Sequence, residues 1–349
     1  MSALESCSLP TPTPTPAKAE QVASSIWSGL FLTGSIAAVA FGLNRIPVLQ
    51  LVNPMILAVF IGICIQSFFS IPATCSKGIT FSLQPLLKIA VVFLGLQLSF
   101  TQVLGVGLSG LLVIMLTLGS TFFFCIWVGK WLGLDPKLTR LIAAGTSICG
   151  ASAIVATNSV IRGKDEHVAY SITVVTFFGF LSMLFFPVIA RFLQLDPATF
   201  GLWAGASIHE TAQVIGASFQ RGQESGEVGT VAKLSRVLFL VPVIVILGFS
   251  SGERAQGPAH PGRRRFPIPW FVIGFVALVT VNSLFILEPA IQEEIKVANK
   301  FLLTVALAAM GLRMSFSQMR KTGLRPLCLG VASWVYVSIV GLLLAKTLV

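Results

Sequence analysis

Charge is what this chain has least of. Of 349 residues only 11% are Asp, Glu, Lys or Arg, and just 13 are acidic. A soluble domain carries about 25% charged residues, so a water-solvated globular fold is excluded. Histidine is almost absent, with three in the chain, and no His or Cys pair shows the spacing of a metal site. Cys64, Cys125, Cys149 and Cys328 fall in apolar segments, Cys75 in a loop and Cys7 in the N-terminal tail, which reads as ordinary buried thiols. The first 25 residues, with a Thr-Pro repeat, lack the basic-then-apolar order of a signal peptide and read as a disordered tail. No nucleic-acid motif occurs, and the 24 Lys and Arg are scattered through many loops.

What remains is hydrophobic, 55% of the chain. At about 20 residues per span, residues 26–349 form one all-α transmembrane domain of about 10–11 helices. The expected spans are 26–43, 53–69, 83–100, 107–131, 139–161, 168–193, 200–219, 231–250, 268–287, 299–316 and 326–349, with a solvated loop at 251–267. Counted across these eleven spans, thirteen cations fall on the N-terminal side and nine on the other. That bias places the N-terminus in the cytoplasm of a bacterial inner membrane.

The polar residues inside the apolar segments are the informative ones. Leu202–Ser218 reads LWAGASIHETAQVIGAS, and a His and a Glu at the centre of a membrane segment mark function or strong pairing. On a continuous helix Gln213 shares a face with His209 and with Glu210. His209 and Glu210 therefore read as a proton-coupling carboxylate with a titratable neighbour, as a substrate anchor, or as a self-satisfied network with Gln213. The order His-Glu-x-x-Gln lacks the second His of a zinc protease. A second small-residue stretch, Ala143–Ser152 (AAGTSICGAS), has the composition of a discontinuous helix, with Thr146, Ser147 and Cys149 beside the break. Ser207 holds the matching place in the first stretch. Broken helices at the midplane hold substrate in secondary transporters, and helix N-termini there attract anions. The alternative is tight packing through Gly201 and Gly205.

Other polar positions stay open. Lys88 snorkels to the interface if Pro85 starts its helix, and is buried if the helix begins at Ile79. Arg313, close to a helix end, has the same two readings, of which the interfacial one is favoured. Lys233 and Arg236, three apart, read as a cationic mouth or as loop charge. Asn158 either caps or lines the break, and the hairpin Arg162–His167 reads as solvated. Two internal echoes accompany these: Gly95–Gln102 (GLQLSFTQ) with Gly311–Gln318 (GLRMSFSQ), and Ala144–Ile148 with Ala204–Ile208. The first has the odd span separation of an inverted repeat; the second is of a composition that recurs by chance.

GTSICGASAI, FGLWAGASIHETAQVIGAS, AKLSRV and the GLxxSF echo together resemble the YeiH-like family of bacterial membrane proteins, to which sulfate export is ascribed. The likeness runs from about Trp27 onward, with IHETAQV its most specific block, and excludes the tail and the 251–267 loop. It implies export of sulfate or a related sulfur oxyanion, and an inverted-repeat fold akin to bile-acid symporters and cation–proton antiporters, with two broken crossing helices. Those crossings fall by position at Thr146–Cys149 and Ser207–Gln213, two spans apart where the fold implies about five.

The expected function is thus secondary transport of a small sulfate-like anion coupled to H⁺ or Na⁺. Ser147 and Ser207 would hold the anion and Lys88 or Lys233 would add charge. A cation–proton antiporter and an intramembrane enzyme using His209 and Glu210 are the alternatives, although no nucleophile accompanies that pair. The expected partners are the anion, the coupling ion, the bilayer and, as an option, a second copy; no nucleic acid, cofactor or metal is expected.

Overall fold

The computed structural model describes residues 26–47, 49, 52–69, 71–101, 107–240, 242–243, 246, 270–285, 288–314 and 324–349. The expected tail at 1–25 and the loop at 251–267 lie outside the described residues. Those described form helices and turns, with no strand among them.

The helices are α1 (Ile26–Leu43), α2 (Pro54–Phe68), α3 (Ala73–Gln97), α4 (Gly107–Trp131), α5 (Pro136–Ala144, continued by a π turn Gly145–Cys149) and α6 (Ala151–Ile161). They continue as α7 (Asp165–Phe192), α8 (Pro197–Ser207), α9 (Thr211–Ser218), α10 (Gln223–Leu238), α11 (Trp270–Leu284), α12 (Pro289–Arg313) and α13 (Leu324–Leu348). Among the described residues six of them, α1, α3, α4, α7, α12 and α13, are long and apolar enough to cross a membrane.

The starts are set by side-chain caps followed by proline, whose missing N–H is harmless in the first turn. Asn53, Asp135 and Asp196 each accept a hydrogen bond from the helix that begins after them. The third helix starts at Ala73, ahead of both starts considered for it, and puts Cys75 in its first turn rather than in a loop. Pro85 sits inside it and is accommodated by a π turn over Ser82–Leu86.

Two of the eleven expected spans do not cross. The Nζ of Lys137 at the start of α5 donates to the carbonyl of Arg162 after α6, 3.2 Å away. Asp135 pairs with His167 at 3.7 Å. The segment expected to span 139–161 therefore returns to the end it entered from. The segment expected at 200–219 behaves alike, because the Arg221 guanidinium donates to the Leu195 carbonyl at 2.6 Å. Each limb has 8 to 14 residues, about 12–21 Å at 1.5 Å per residue, which is short of the ~30 Å hydrocarbon thickness. A hydropathy count adds two such limbs into one span. The full-length α7 joins the hairpins, so α5–α6 and α8–α9 enter from opposite ends and meet tip to tip.

The remaining helices frame the hairpins. Lys88 of α3 lies over Phe271 of α11, Gly95 abuts Phe275 and Val279, and Asn282 donates to the Leu98 carbonyl, so α3 and α11 run parallel. Arg313 at the end of α12 bonds the Thr80 hydroxyl near the start of α3, so those two are antiparallel. The glycines of the first echo do the same work. A Cβ on Gly95 would stand 2.5 Å from the Phe275 carbonyl, and one on Gly311 would stand 2.3 Å from the Val59 carbonyl. Three residues beyond each, the chain turns extended, at Leu98 and at Met314. The echo beyond Thr101 and Met314 lies outside the described residues.

Candidate functional site

The site is built from the two hairpin tips. At the first, Gly150 takes φ +74°, a conformation glycine adopts without steric cost, and α6 starts at the next residue with no cap of its own. At the second, Ile208 and Glu210 are extended, and α9 starts at Thr211. The tips touch, since a Cβ on Gly150 would fall 2.5 Å from Glu210 Cγ.

Four helix ends thus converge away from water, and each must have its free backbone groups satisfied. The two C-terminal ends are closed by α10, which packs on α8 at Gly205, where a Cβ would meet the Gly229 carbonyl at 2.5 Å. Lys233 Nζ donates to the carbonyls of Ile148 (2.9 Å), Ile208 (2.7 Å) and His209 (2.5 Å). Arg236 reaches both tips, donating to Thr146 and Ser147 of the first and to Gly205, Ala206 and Ile208 of the second. Both side chains are fully buried. Glu210 stands at the two N-terminal ends. Its side chain lies against Gly150 at the start of α6, forms a capping box with Gln213 in α9, and its carboxylate accepts the Thr176 hydroxyl of α7 at 2.8 Å. Gln213 completes the network. Its Oε1 takes the Glu210 amide at 3.1 Å and its Nε2 donates to the Thr176 carbonyl at 2.9 Å.

Glu210 faces a cavity of about 770 Å³ on the side where α5 and α6 are rooted. Ala151, Ser152, Thr176 and Thr211 line it around the tips. Lys88 of α3 and Arg313 of α12 line it from the other helices. Among the described residues neither cation forms an ion pair with a carboxylate.

Of the residues singled out in the sequence, the cavity wall gathers Glu210, Cys149 and Lys88. Lys88 lies fifteen residues into α3 rather than at its first turn. The rest are placed elsewhere. Lys233 was expected to add charge to an anion site, but its three ammonium protons already meet carbonyls behind the tips. Ser147 Oγ donates to the Ala143 carbonyl and Ser207 Oγ to Val337 on α13, so neither hydroxyl is on the cavity wall. Thr146 contributes its carbonyl to Arg236. Asn158 caps the far end of α6 by accepting the Gly163 amide at 2.8 Å. His209 is buried off the wall, with Nδ1 unpartnered. In an extended segment neighbouring side chains point to opposite sides, which separates His209 from Glu210 and corrects their expected pairing. Gln213 stays with Glu210, although the break between Ile208 and Glu210 ends the continuous helix assumed for all three.

Arg313 was favoured as interfacial but lines the cavity, Ser152 and Thr211 close the two small-residue stretches, and Thr176 was not foreseen at the site. A lone Thr in an apolar helix carries no distinguishing mark. The hairpins themselves did leave a mark. Leu134-Asp135-Pro136 and Leu195-Asp196-Pro197 each precede a limb, and each limb ends at Ala-Gly-x-Ser-Ile. The first limb is one residue longer, and the π turn Gly145–Cys149 absorbs that residue. The residues two before each Asp, Gly133 and Gln194, both have positive φ. The echo Ala144–Ile148 with Ala204–Ile208 is therefore one of structure.

Residues 28–330 match the family described as Conserved hypothetical protein 698. A UPF0324 membrane protein of Pseudomonas aeruginosa is 36% identical over 325 residues, covering 90% of this chain and 92% of that one. One from Bordetella pertussis is 36% identical over 320 residues (88% and 91%). Another, from Wolinella succinogenes, is 34% identical over 326 residues (92% and 97%). No solved structure matches. The matched region holds both hairpins and the whole cavity lining, and this chain belongs to the Conserved hypothetical protein 698 family of multi-pass membrane proteins.

Proposed function

We propose that the protein is a secondary transporter that exports a small sulfate-like or organosulfur anion, with H⁺ or Na⁺ coupling through Glu210. The carrying observation is the charge arrangement at the tips and cavity. A helix end is worth about half a unit charge. Lys233 and Arg236 more than offset the two C-terminal ends, and Glu210 offsets the two N-terminal ends. Among the described residues no carboxylate pairs with Lys88 or Arg313 in the same cavity, and an anion would supply that counter-charge. A carboxylate that caps α9, accepts a hydroxyl and lines the cavity can exchange its proton with the cavity, which is the requirement for coupling. The competing antiporter reading, with Glu210 as the cation ligand, has the two uncompensated cations against it.

An inverted repeat fits this reading. Hairpins of matching sequence enter from opposite ends, and the Gly95 and Gly311 segments end antiparallel helices alike. With the hairpins re-entrant, Arg162 and Lys164 join the N-terminal side, Arg191 leaves it, and Lys233 and Arg236 leave the loops. Thirteen cations against nine then become fourteen against six. That supports an N-terminus and a cavity mouth on the cytoplasmic side of the inner membrane, the side from which an exporter loads.

The test is anion flux in proteoliposomes, with sulfate and methanesulfonate as probes, with and without imposed pH or Na⁺ gradients. The wild type should move at least one anion in a gradient-dependent way, and Glu210→Gln should still bind it without responding to the gradient. Gradient-driven Na⁺/H⁺ exchange without anion flux would establish the antiporter instead.

A further inference from the structure

The cavity is much larger than a tetrahedral oxyanion and is mostly apolar. Resting on the anion-transport reading, we infer that its substrate is an organic monoanion, a sulfonate or carboxylate head on an apolar body, rather than inorganic sulfate. At about 770 Å³ the cavity falls in the range that holds drug-sized ligands. A five-atom oxyanion needs about 60 Å³, twice a water's share of liquid volume. A sulfate placed there would lose hydration to walls that return few hydrogen bonds.

The lining is mixed but mostly apolar. Its cations are Lys88 and Arg313, its hydroxyls are Ser152, Thr173, Thr176 and Thr211, and Glu210 stands at the tips. Leu87, Val91, Val155, Phe177, Met310 and Met314 supply apolar wall, with methionines suited to irregular apolar bodies. Lys88 also stands over the Phe271 ring, 5.9 Å from its centroid, and Trp270 lines the cavity next to it. The charge that selects the head thus adjoins an aromatic surface. An anion held by either cation meets apolar wall beside it.

The experiment is binding to the full chain in lipid nanodiscs, using linear alkanesulfonates from ethane- to hexanesulfonate, the matched 1-alkanols and inorganic sulfate. Affinity should rise about four-fold per methylene, the alkanols should bind at least about ten-fold more weakly, and equimolar sulfate should not displace hexanesulfonate. Lys88→Gln and Arg313→Gln should narrow the gap between sulfonate and alkanol. Ala156→Phe, which fills the apolar wall, should flatten the chain-length slope. A flat series with sulfate as the best competitor would overturn the inference and leave an inorganic anion. Equal slopes for sulfonates and alkanols would overturn it as well, marking a lipid crevice. Chain-length-dependent sulfonate binding without counterflow in proteoliposomes would keep the ligand class and remove the transport reading.

Discussion

The two hairpins reach the same geometry by different means. The first breaks on backbone alone, through a π turn followed by a glycine at positive φ, with no cap on its returning limb. The second breaks on side-chain chemistry, through an extended Ile-His-Glu segment whose last residue is a cap. Glu210 caps its own returning limb and sits against Gly150 at the start of the other, so the first hairpin borrows from the second a negative charge that its own sequence lacks. Both take closure of their entering limbs from a third element, α10. The lesson is that a break need not carry its own satisfaction if a neighbour supplies it.

That contrast can be broken hardest at α10. Arg236→Met withdraws the guanidinium from five carbonyls on both tips, of which Ile208 keeps Lys233, and each buried carbonyl left unpaired costs about 1–3 kcal/mol. The variant should yield no monodisperse protein in detergent, as read by size-exclusion chromatography. Lys233→Met should fail almost as fully, while Arg236→Lys recovers part of the fold. Equal behaviour of Arg236→Met and wild type would remove α10 as the common support.

Gly150→Ala should be next. It combines a backbone conformation that favours glycine (φ +74°, ψ −135°), costing about 1–3 kcal/mol, with a Cβ driven onto Glu210. Gly222→Ala, also at positive φ but with no atom within 4 Å of its Cβ, should lose only the conformational part in thermal melts. Adding Glu210→Ala to Gly150→Ala should recover the clash but not the φ strain, and strict additivity would show that the tips are independent.

Thr176→Val removes one hydrogen bond from Glu210, about 1 kcal/mol. It should lower melting temperature slightly and shift the pH profile of flux, and an unchanged profile would detach α7 from the carboxylate. Smallest and most symmetric are the entry caps. Asp135→Ala and Asp196→Ala should each cost about 1 kcal/mol and resemble one another.

Acid should mimic those last two variants. Burial works to raise both carboxyls, but backbone amides at Lys137, Leu138 and Thr199 hold them below the ordinary carboxylate range. Their contribution is complete above the unfolded pKa, near 4, and is lost as pH falls through the lowered folded values. Melts at pH 5 and pH 3 of wild type and the Asp135→Ala, Asp196→Ala double variant check this. An equal acid loss in both would assign it elsewhere.

Much of this was legible in the chain. Hydropathy located each long helix among the described residues, though α3 and α12 begin well ahead of the expected spans at 83–100 and 299–316. Glu210 within its Gly- and Ser-rich setting marked the tip, because an unexplained carboxylate in an apolar segment is expensive. Whether a segment crosses or turns back was not legible, since two short apolar limbs and one span give the same window average. Lys233 and Arg236 were equally hidden. At the head of an apolar stretch a cation ordinarily faces water, and only the folded hairpins supply the carbonyls that bury it. The unequal spacing from Leu-Asp-Pro to Ala-Gly-x-Ser-Ile obscured the repeat until the π turn accounted for the extra residue.

The shared guanidinium has a mechanical consequence. One planar group bonded to carbonyls of both hairpins acts as a rivet, and pulling the tips apart would strip its hydrogen bonds where no water replaces them. The hairpins are thereby committed to travel as one rigid piece. Any displacement of that piece against the rest of the molecule must be accommodated along the seam where it faces α3, α11 and α12, and the cavity occupies that seam.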